Sequence, residues 1–356
     1  MKQINTLFAV AFASAALFSS CSSDDDDNDL PKGDYDYGTL VLNEGAFTKN
    51  NASISFINAA DELTNDIYST KNGETLGDVA QSMAFEDDKA YIAINNSNVV
   101  KVVDRYTMMD ITTISEGIYT PRYIVFEDDK GYVSNWGDPN DSTDDFIAVI
   151  NSSTNTVEIT ISVAEGPEAL VEEDGKLYVA HKGGYGFGNT ISVINLANNT
   201  VETTITVADI PDTMEEEDGY LYVLSSGKYD WFTGEETPGA ITKINMSDNS
   251  VAEVLDFEVG VHPSHLKIED DIVYYTLGTE VYTKGLNAAL PTTALIDVAS
   301  QGAFGIYGFE VEDNIIYIGD AKDYASAGAV YTYNTSGTYL NSFTTGISPN
   351  GFYFND

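Results

Sequence analysis

Pro167-Glu168-Ala169-Leu170-Val171-Glu172-Glu173-Asp174-Gly175-Lys176-Leu177-Tyr178-Val179-Ala180 holds the unit that the rest of the chain repeats. An apolar run meets a short acidic turn, and a Tyr-centred run follows it. The turn returns before Tyr91, Tyr132, Tyr222, Tyr274 and Tyr317. Its anchoring acids are Asp87, Asp128, Asp174, Asp218, Asp270 and Asp313, with Asp356 at the chain end. The intervals are 41, 46, 44, 52, 43 and 43 residues. Each unit adds two more runs that alternate apolar and polar residues, as in Thr190-Ile191-Ser192-Val193-Ile194 and Thr200-Val201-Glu202-Thr203-Thr204-Ile205. Period-two alternation rich in β-branched residues and broken by Asn, Asp and Gly signals strands. Four short strands per forty-odd residues make a propeller blade, so the expected fold is all-β, a seven-bladed β-propeller.

The two ends predict how the ring closes. Gly38-Thr39-Leu40-Val41-Leu42 reads as a second-type strand with no innermost strand ahead of it. Pro349-Asn350-Gly351-Phe352-Tyr353-Phe354 reads as an innermost strand with no chain left to continue. Pairing the C-terminal strand with the N-terminal ones completes the seventh blade and removes exposed sheet edges.

The acidic turns invite a calcium reading, but Asp-Asp-Lys and Asp-Gly between strands are what a hairpin requires. None shows the spaced ligand ladder of a calcium loop. Composition narrows function further. Of 356 residues, 57 are acidic and 16 basic, and the net charge of −41 disfavours nucleic acid and anionic membrane surfaces. The single Cys excludes a disulfide framework and a Cys-rich metal site. That Cys, Cys21, follows Lys2, an apolar run from Leu7 to Phe18, and small Ser19 and Ser20. The pattern is similar to a lipobox, with residues 1–20 as signal peptide and Cys21 as the lipidation site; an ordinary secretory signal is the alternative. An acidic run, Asp24 to Asp29, opens a flexible tether expected over 21–36, with the propeller over 37–356.

Strand order sorts the loops onto two rims. Connections into the inner strands share a rim with those between second and third strands; the acidic turns occupy the other. Both Trp residues, all three His and one of the two Arg fall on the first rim. Exposed aromatics beside amides and one Arg are the usual lining of a recognition surface. Catalytic motifs are absent: there is no G-x-S-x-G, H-E-x-x-H or C-x-x-C, and Gly183-Gly184-Tyr185-Gly186-Phe187-Gly188 lies between strands rather than ahead of a helix. The expectation is a non-enzyme that needs no cofactor and holds no metal.

Leu42-Asn43-Glu44-Gly45, Leu76-Gly77-Asp78-Val79-Ala80-Gln81-Ser82, Asn95-Asn96-Ser97, Pro121-Arg122-Tyr123-Ile124 and Asp320-Ala321-Lys322-Asp323-Tyr324 resemble the YncE-like propeller lipoproteins of Bacteroidota, including the BtuG-type cobalamin-binding proteins. The resemblance spans the ring, the lipobox and the tether, while loops 135–145 and 225–239 depart from it. It implies an outer-membrane lipoprotein, surface-exposed or alternatively periplasm-facing. Such a protein captures cobalamin for a TonB-dependent transporter and touches the membrane only through its lipid. For such a ligand Trp136, Tyr185, Trp231 and Tyr324 are assigned to stacking, and Asn43, Gln81, Asn95, Asn96 and Asn350 to amide contacts. Arg122 is the anchor, Glu44 and Asp320 join the lining, and His181 or His265 approaches a bound metal. A monomer is expected, since a closed ring has no edge to pair. An adhesion propeller, or a lyase using His265, are the alternatives.

Overall fold

The computed structural model describes residues 31–355 apart from Pro139. The expected signal peptide, Cys21 and the acidic run lie outside the described residues. Seven four-stranded antiparallel sheets form the ring. Counted from the N-terminus, the innermost strands of blades 2 to 7 are Ala80–Glu86, Pro121–Glu127, Pro167–Glu173, Pro211–Glu217, Ser264–Glu269 and Gly308–Glu312. Blade 1 takes its innermost strand, Pro349–Asn355, from the far end of the chain. That strand pairs with Gly38–Asn43 from Gly38↔Asn355 to Leu42↔Gly351, as the two ends predicted.

The acidic turns are hairpin turns. Asp87, Asp128, Asp174, Asp218, Asp270 and Asp313 all hold φ between 48° and 54°. Asp tolerates this left-handed region because its short side chain bonds locally, which explains why an acid marks each of these six turns. Asn155, Asn199 and Asn249 play the same part between third and fourth strands.

Each seam between blades has its own core. Between blades 2 and 3, Tyr91, Val100, Val102 and Ile114 pack on Ile124, Val133, Ala148 and Ile150. The recurrent Tyr of the second strand crosses that seam. Tyr91 Oη donates to Asn155 Oδ1 at 2.7 Å, and Tyr178 Oη donates to Asn249 Oδ1 at 3.1 Å, each on the next blade. The repeat therefore couples a buried ring on one blade to a turn on the next.

The folded body begins at Lys32 rather than at the expected 37. Tyr35 is buried against Phe56, Lys71 pairs with Asp34, and Asn355 Nδ2 donates to the Tyr35 carbonyl. Residues 32–36 are thus held at the closure rather than belonging to the tether. A short helix, Ile67–Asn72, follows the two-residue outermost strand of blade 1, Leu63–Thr64. Among the described residues, no helix is long and apolar enough to cross a membrane.

Candidate ligand-binding face

The mouth of the ring is built by one repeated irregularity. In six blades the register slips where the innermost strand begins: between Ala80 and Ser82, Pro121 and Ile124, Pro167 and Leu170, Pro211 and Thr213, Ser264 and Leu266, and opposite Leu42 and Asn43. The residues set free of the ladder include Gln81, Arg122, Glu168, Asp212, His265 and Asn350. A bulge leaves a residue unpaired and re-aims its side chain. Just ahead of these bulges, Val79, Thr120 and Ile210 hold positive φ of 64°, 52° and 59°. β-branched residues pay for that conformation, and such strain is held in place only by surrounding structure.

The freed side chains bond to one another across the seams. Arg122 Nε donates to Glu168 Oε2 at 2.9 Å and Nη2 to Oε1 at 2.6 Å, while Nη1 donates to Gln81 Oε1 at 2.6 Å. Lys182 bridges Glu168 at 3.7 Å and Asp212 at 2.7 Å. Asn350 Nδ2 donates to the carbonyls of Ala80 and Gln81. Tyr307 Oη donates to Glu44, and His265 lies between Thr276 Oγ1 at 2.9 Å and the Tyr307 carbonyl at 3.2 Å. Deeper along the axis Lys267 pairs with Glu215 and Glu310, both at 2.9 Å.

Electrostatics follow from burial set against pairing. Burial opposes the Arg122 charge, but the Glu168 carboxylate more than offsets it and holds the guanidinium charged. Burial likewise pushes Asp212 up, and Lys182 reverses this, leaving it below the ordinary carboxylate range. Burial pushes His265 down and Glu44 up. The mouth is a set of charges answered by their neighbours, a rigid plate of fixed dipoles.

Around this plate stands a crown of aromatics. Phe47, Tyr119, Tyr185, Phe187, Tyr229, Trp231, Phe232, Phe304 and Tyr324 are all exposed and all sit in the loops of this one rim. Trp231 is 85 % exposed and Phe232 102 %. Tyr229 braces Trp231 edge-on at 4.5 Å, and Tyr307 braces Tyr324 at 5.3 Å. Tyr37 and Tyr339 are exposed at the opposite rim, so nine of the eleven exposed aromatics among the described residues gather on this one. Exposed rings contribute little to stability, and such a concentration makes this rim the candidate contact surface.

The structure divides the expected residues into four groups. Glu44, Gln81, Arg122, His265 and Asn350 meet at the mouth. Trp136, Tyr185, Trp231 and Tyr324 belong to the wall or crown, Trp136 with the Arg122 guanidinium 4.3 Å from its ring centre. Asn43, His181 and Asp320 are elsewhere: each ends a second strand and is buried in its own blade. Asn43 Nδ2 donates to Ser55 Oγ, Asp320 Oδ1 accepts the Lys322 N–H, and His181 Nε2 pairs with Ser192 Oγ at 2.8 Å. Burial holds His181 down to about 4, so it is neutral and committed to packing. Asn95 and Asn96 brace loops, donating to the Pro121 carbonyl and to Asp78. Glu168, Lys182, Asp212 and Tyr307, which share this rim by sequence position but were not among the expected ligand contacts, belong to the mouth too. For Glu168 and Asp212 the signal was present: both follow a Pro in the slot that Arg122 fills in its own blade.

A family model described as a domain of unknown function, DUF5074, matches residues 37–309. No curated protein matches the sequence. Among solved structures the chain is similar to a functionally unknown protein from Desulfotomaculum acetoxidans, 12% identical over 89% of this chain and 98% of that one, with a TM-score of 0.64. It is similar also to the computationally designed protein Ika8, 14% identical over 91% and 92%, TM-score 0.58. BamB from Moraxella catarrhalis is 14% identical over 88% and 85%, TM-score 0.52. Likeness at these identities shows the fold alone.

Proposed function

This chain belongs to the DUF5074 family, and from the geometry of its mouth we propose that it is a non-catalytic binding module whose crowned rim captures a broad, flat small molecule. The observation that carries the reading is the gathering of nine of the eleven exposed aromatics on the rim around a largely self-paired polar plate. Rings offer large contact area at little entropic cost, and a rigid plate avoids ordering costs on binding. A corrinoid fits this chemistry: an apolar disc for the rings, and amide arms for Gln81, Asn350 and the exposed backbone of the rim. The lipobox-like start of the chain and its acidic run support surface anchoring through Cys21. They also support delivery to a TonB-dependent outer-membrane transporter. Trp231 and Phe232 stand clear of the mouth, which favours a protein surface, such as that transporter, closing over the bound ligand. Adhesion to another protein through the same rings is the second reading.

Calorimetry of the folded body, residues 32–356, against cyanocobalamin and haem tests the ligand. Saturable heat with cyanocobalamin supports the corrinoid reading, heat with haem alone replaces it with another planar macrocycle, and heat with neither removes small-molecule capture of this class.

A further inference from the structure

Trp136 is a wall shared with a second recess. Between the loops of blades 3 and 4 lies a crevice of about 150 Å³, bounded by Thr120, Trp136, Asp145, Glu165 and Tyr185. Trp136 cannot swing out of it: its Nε1–H donates to the Pro167 carbonyl at 3.0 Å, and Arg122 covers it from the mouth side. Tyr185 meets it edge-on, with ring centres 5.7 Å apart and planes at 74°.

The charge of this crevice is one-sided. Its described lining carries Asp138, Asp141, Asp145 and Glu165 and no Lys or Arg. The rim acids are in use as turn formers, Asp138 accepting from Asn140 and Asp141 from Thr143. Asp145 is different. It is 3 % exposed, it lines the crevice, and its Oδ2 accepts the Gly166 N–H at 2.5 Å. Burial, with Asp144, Glu165 and Asp141 adding repulsion, pushes its carboxyl up to about 6. A buried carboxylate among like charges lowers stability, and the Gly166 N–H offsets only part of that.

We propose that this crevice is a binding site for a small organic ammonium ion, with Trp136 and Tyr185 against its methyl or methylene groups and Asp145 and Glu165 answering its charge. Aromatic walls and carboxylates together are the chemistry that recognises alkylated ammonium, which has both an apolar surface and a charge. The volume suits it, since a cavity of about 150 Å³ holds a molecule of about benzene's size. A divalent metal suits it less. Among the described residues, the one carboxylate trio whose oxygens could share an ion is Glu217, Asp218 and Asp271, in the turns of the opposite rim. The crevice shares Trp136 and Tyr185 with the crown, but its choice of ligand rests on Asp145 and Glu165, so this proposal and corrinoid capture can each hold without the other.

The test is calorimetry of residues 32–356 with choline and with its neutral isostere 3,3-dimethyl-1-butanol. Choline binds saturably, and the isostere binds about tenfold more weakly or worse, because it lacks the charge. Tyr185→Ala, at an exposed ring, weakens choline by about three- to tenfold without moving the melting temperature. Asp145→Asn, the same shape without the charge, removes the preference for choline over the isostere while raising the melting temperature at neutral pH. Equal binding of the isostere, or choline affinity untouched by both variants, overturns the proposal. Absence of choline binding overturns it too, and calcium binding that Asp145→Asn abolishes would make the crevice a metal site instead.

Discussion

Arg122 and Glu168 face each other across the seam between blades 3 and 4 in a two-point ion pair, 2.9 and 2.6 Å, with Glu168 almost wholly buried. The pair ties two blades together at the mouth and gives Trp136 a cation to lie against. Both residues sit in the bulges at which their innermost strands begin. Removing one partner leaves a buried charge without its counter-ion. Glu168→Ala is therefore expected to cost about 3–5 kcal/mol. Urea unfolding of Glu168→Ala, Arg122→Ala and the double variant measures it. The double variant should be less damaged than the sum of the singles, and strict additivity would contradict direct coupling.

Ring closure rests on a buried clasp at Asn355. Its Nδ2 donates to the Tyr35 and Arg105 carbonyls, and its Oδ1 accepts from Arg105 Nε at 2.7 Å. Asn355→Ala removes these hydrogen bonds at once and is expected to lower stability by about 2 kcal/mol or more. Thermal melts decide it, with a variant as stable as the parent showing that the Pro349–Asn355 strand holds without the clasp.

The acidic rim predicts a pH dependence. Burial, and then Glu127 on the neighbouring blade, push Glu172 from 4.5 up to about 7. The folded chain therefore holds a proton that the unfolded chain has lost between these values, so stability is present below about pH 4.5 and falls as pH rises through 7. Melting temperature should decline from pH 5 to pH 8, less steeply in Glu172→Gln. A rise over that range would mean that the carboxyl titrates normally.

What was legible in the chain, and what was not, follows from the range of each interaction. The ring was legible because its determinant is local: six of the seven blades need a left-handed turn between their first two strands, and Asp87, Asp128 and their counterparts supply it within a few residues. The recognition rim was legible for the same reason, since strand order alone decides which loops share it. The partners within the rim were not. Arg122 finds Glu168 and Gln81 at separations of 46 and 41 residues, through bulges that alternation of apolar and polar residues does not reveal. Asn43, His181 and Asp320 share the loops of the rim by sequence position. One step along a strand reverses the facing of a side chain, and at these strand ends it buries all three. The start of the body at Lys32 was hidden too, because Tyr35 is held by Asn355, which lies at the other end of the chain.

The crown should be separable from the fold. Trp231→Ala and Tyr324→Ala remove exposed rings and are each expected to shift stability by about 0.5 kcal/mol or less. If the rings are contacts for a ligand, each substitution weakens binding by about tenfold. Melting curves and titrations on the same samples separate the two effects. A large loss of stability would show instead that the rings seal their own loops.

Both Trp residues of the chain lie on the proposed binding rim, and none lies on the acidic one. Titrating residues 32–356 with cyanocobalamin while following tryptophan emission, corrected with free tryptophan amide, therefore asks directly whether that rim is where a ligand sits. A corrinoid held against the crown absorbs the light that tryptophan emits and should quench Trp136 and Trp231 saturably. Emission that stays level while calorimetry records binding would place the ligand away from the crown and contradict the recognition role assigned to it.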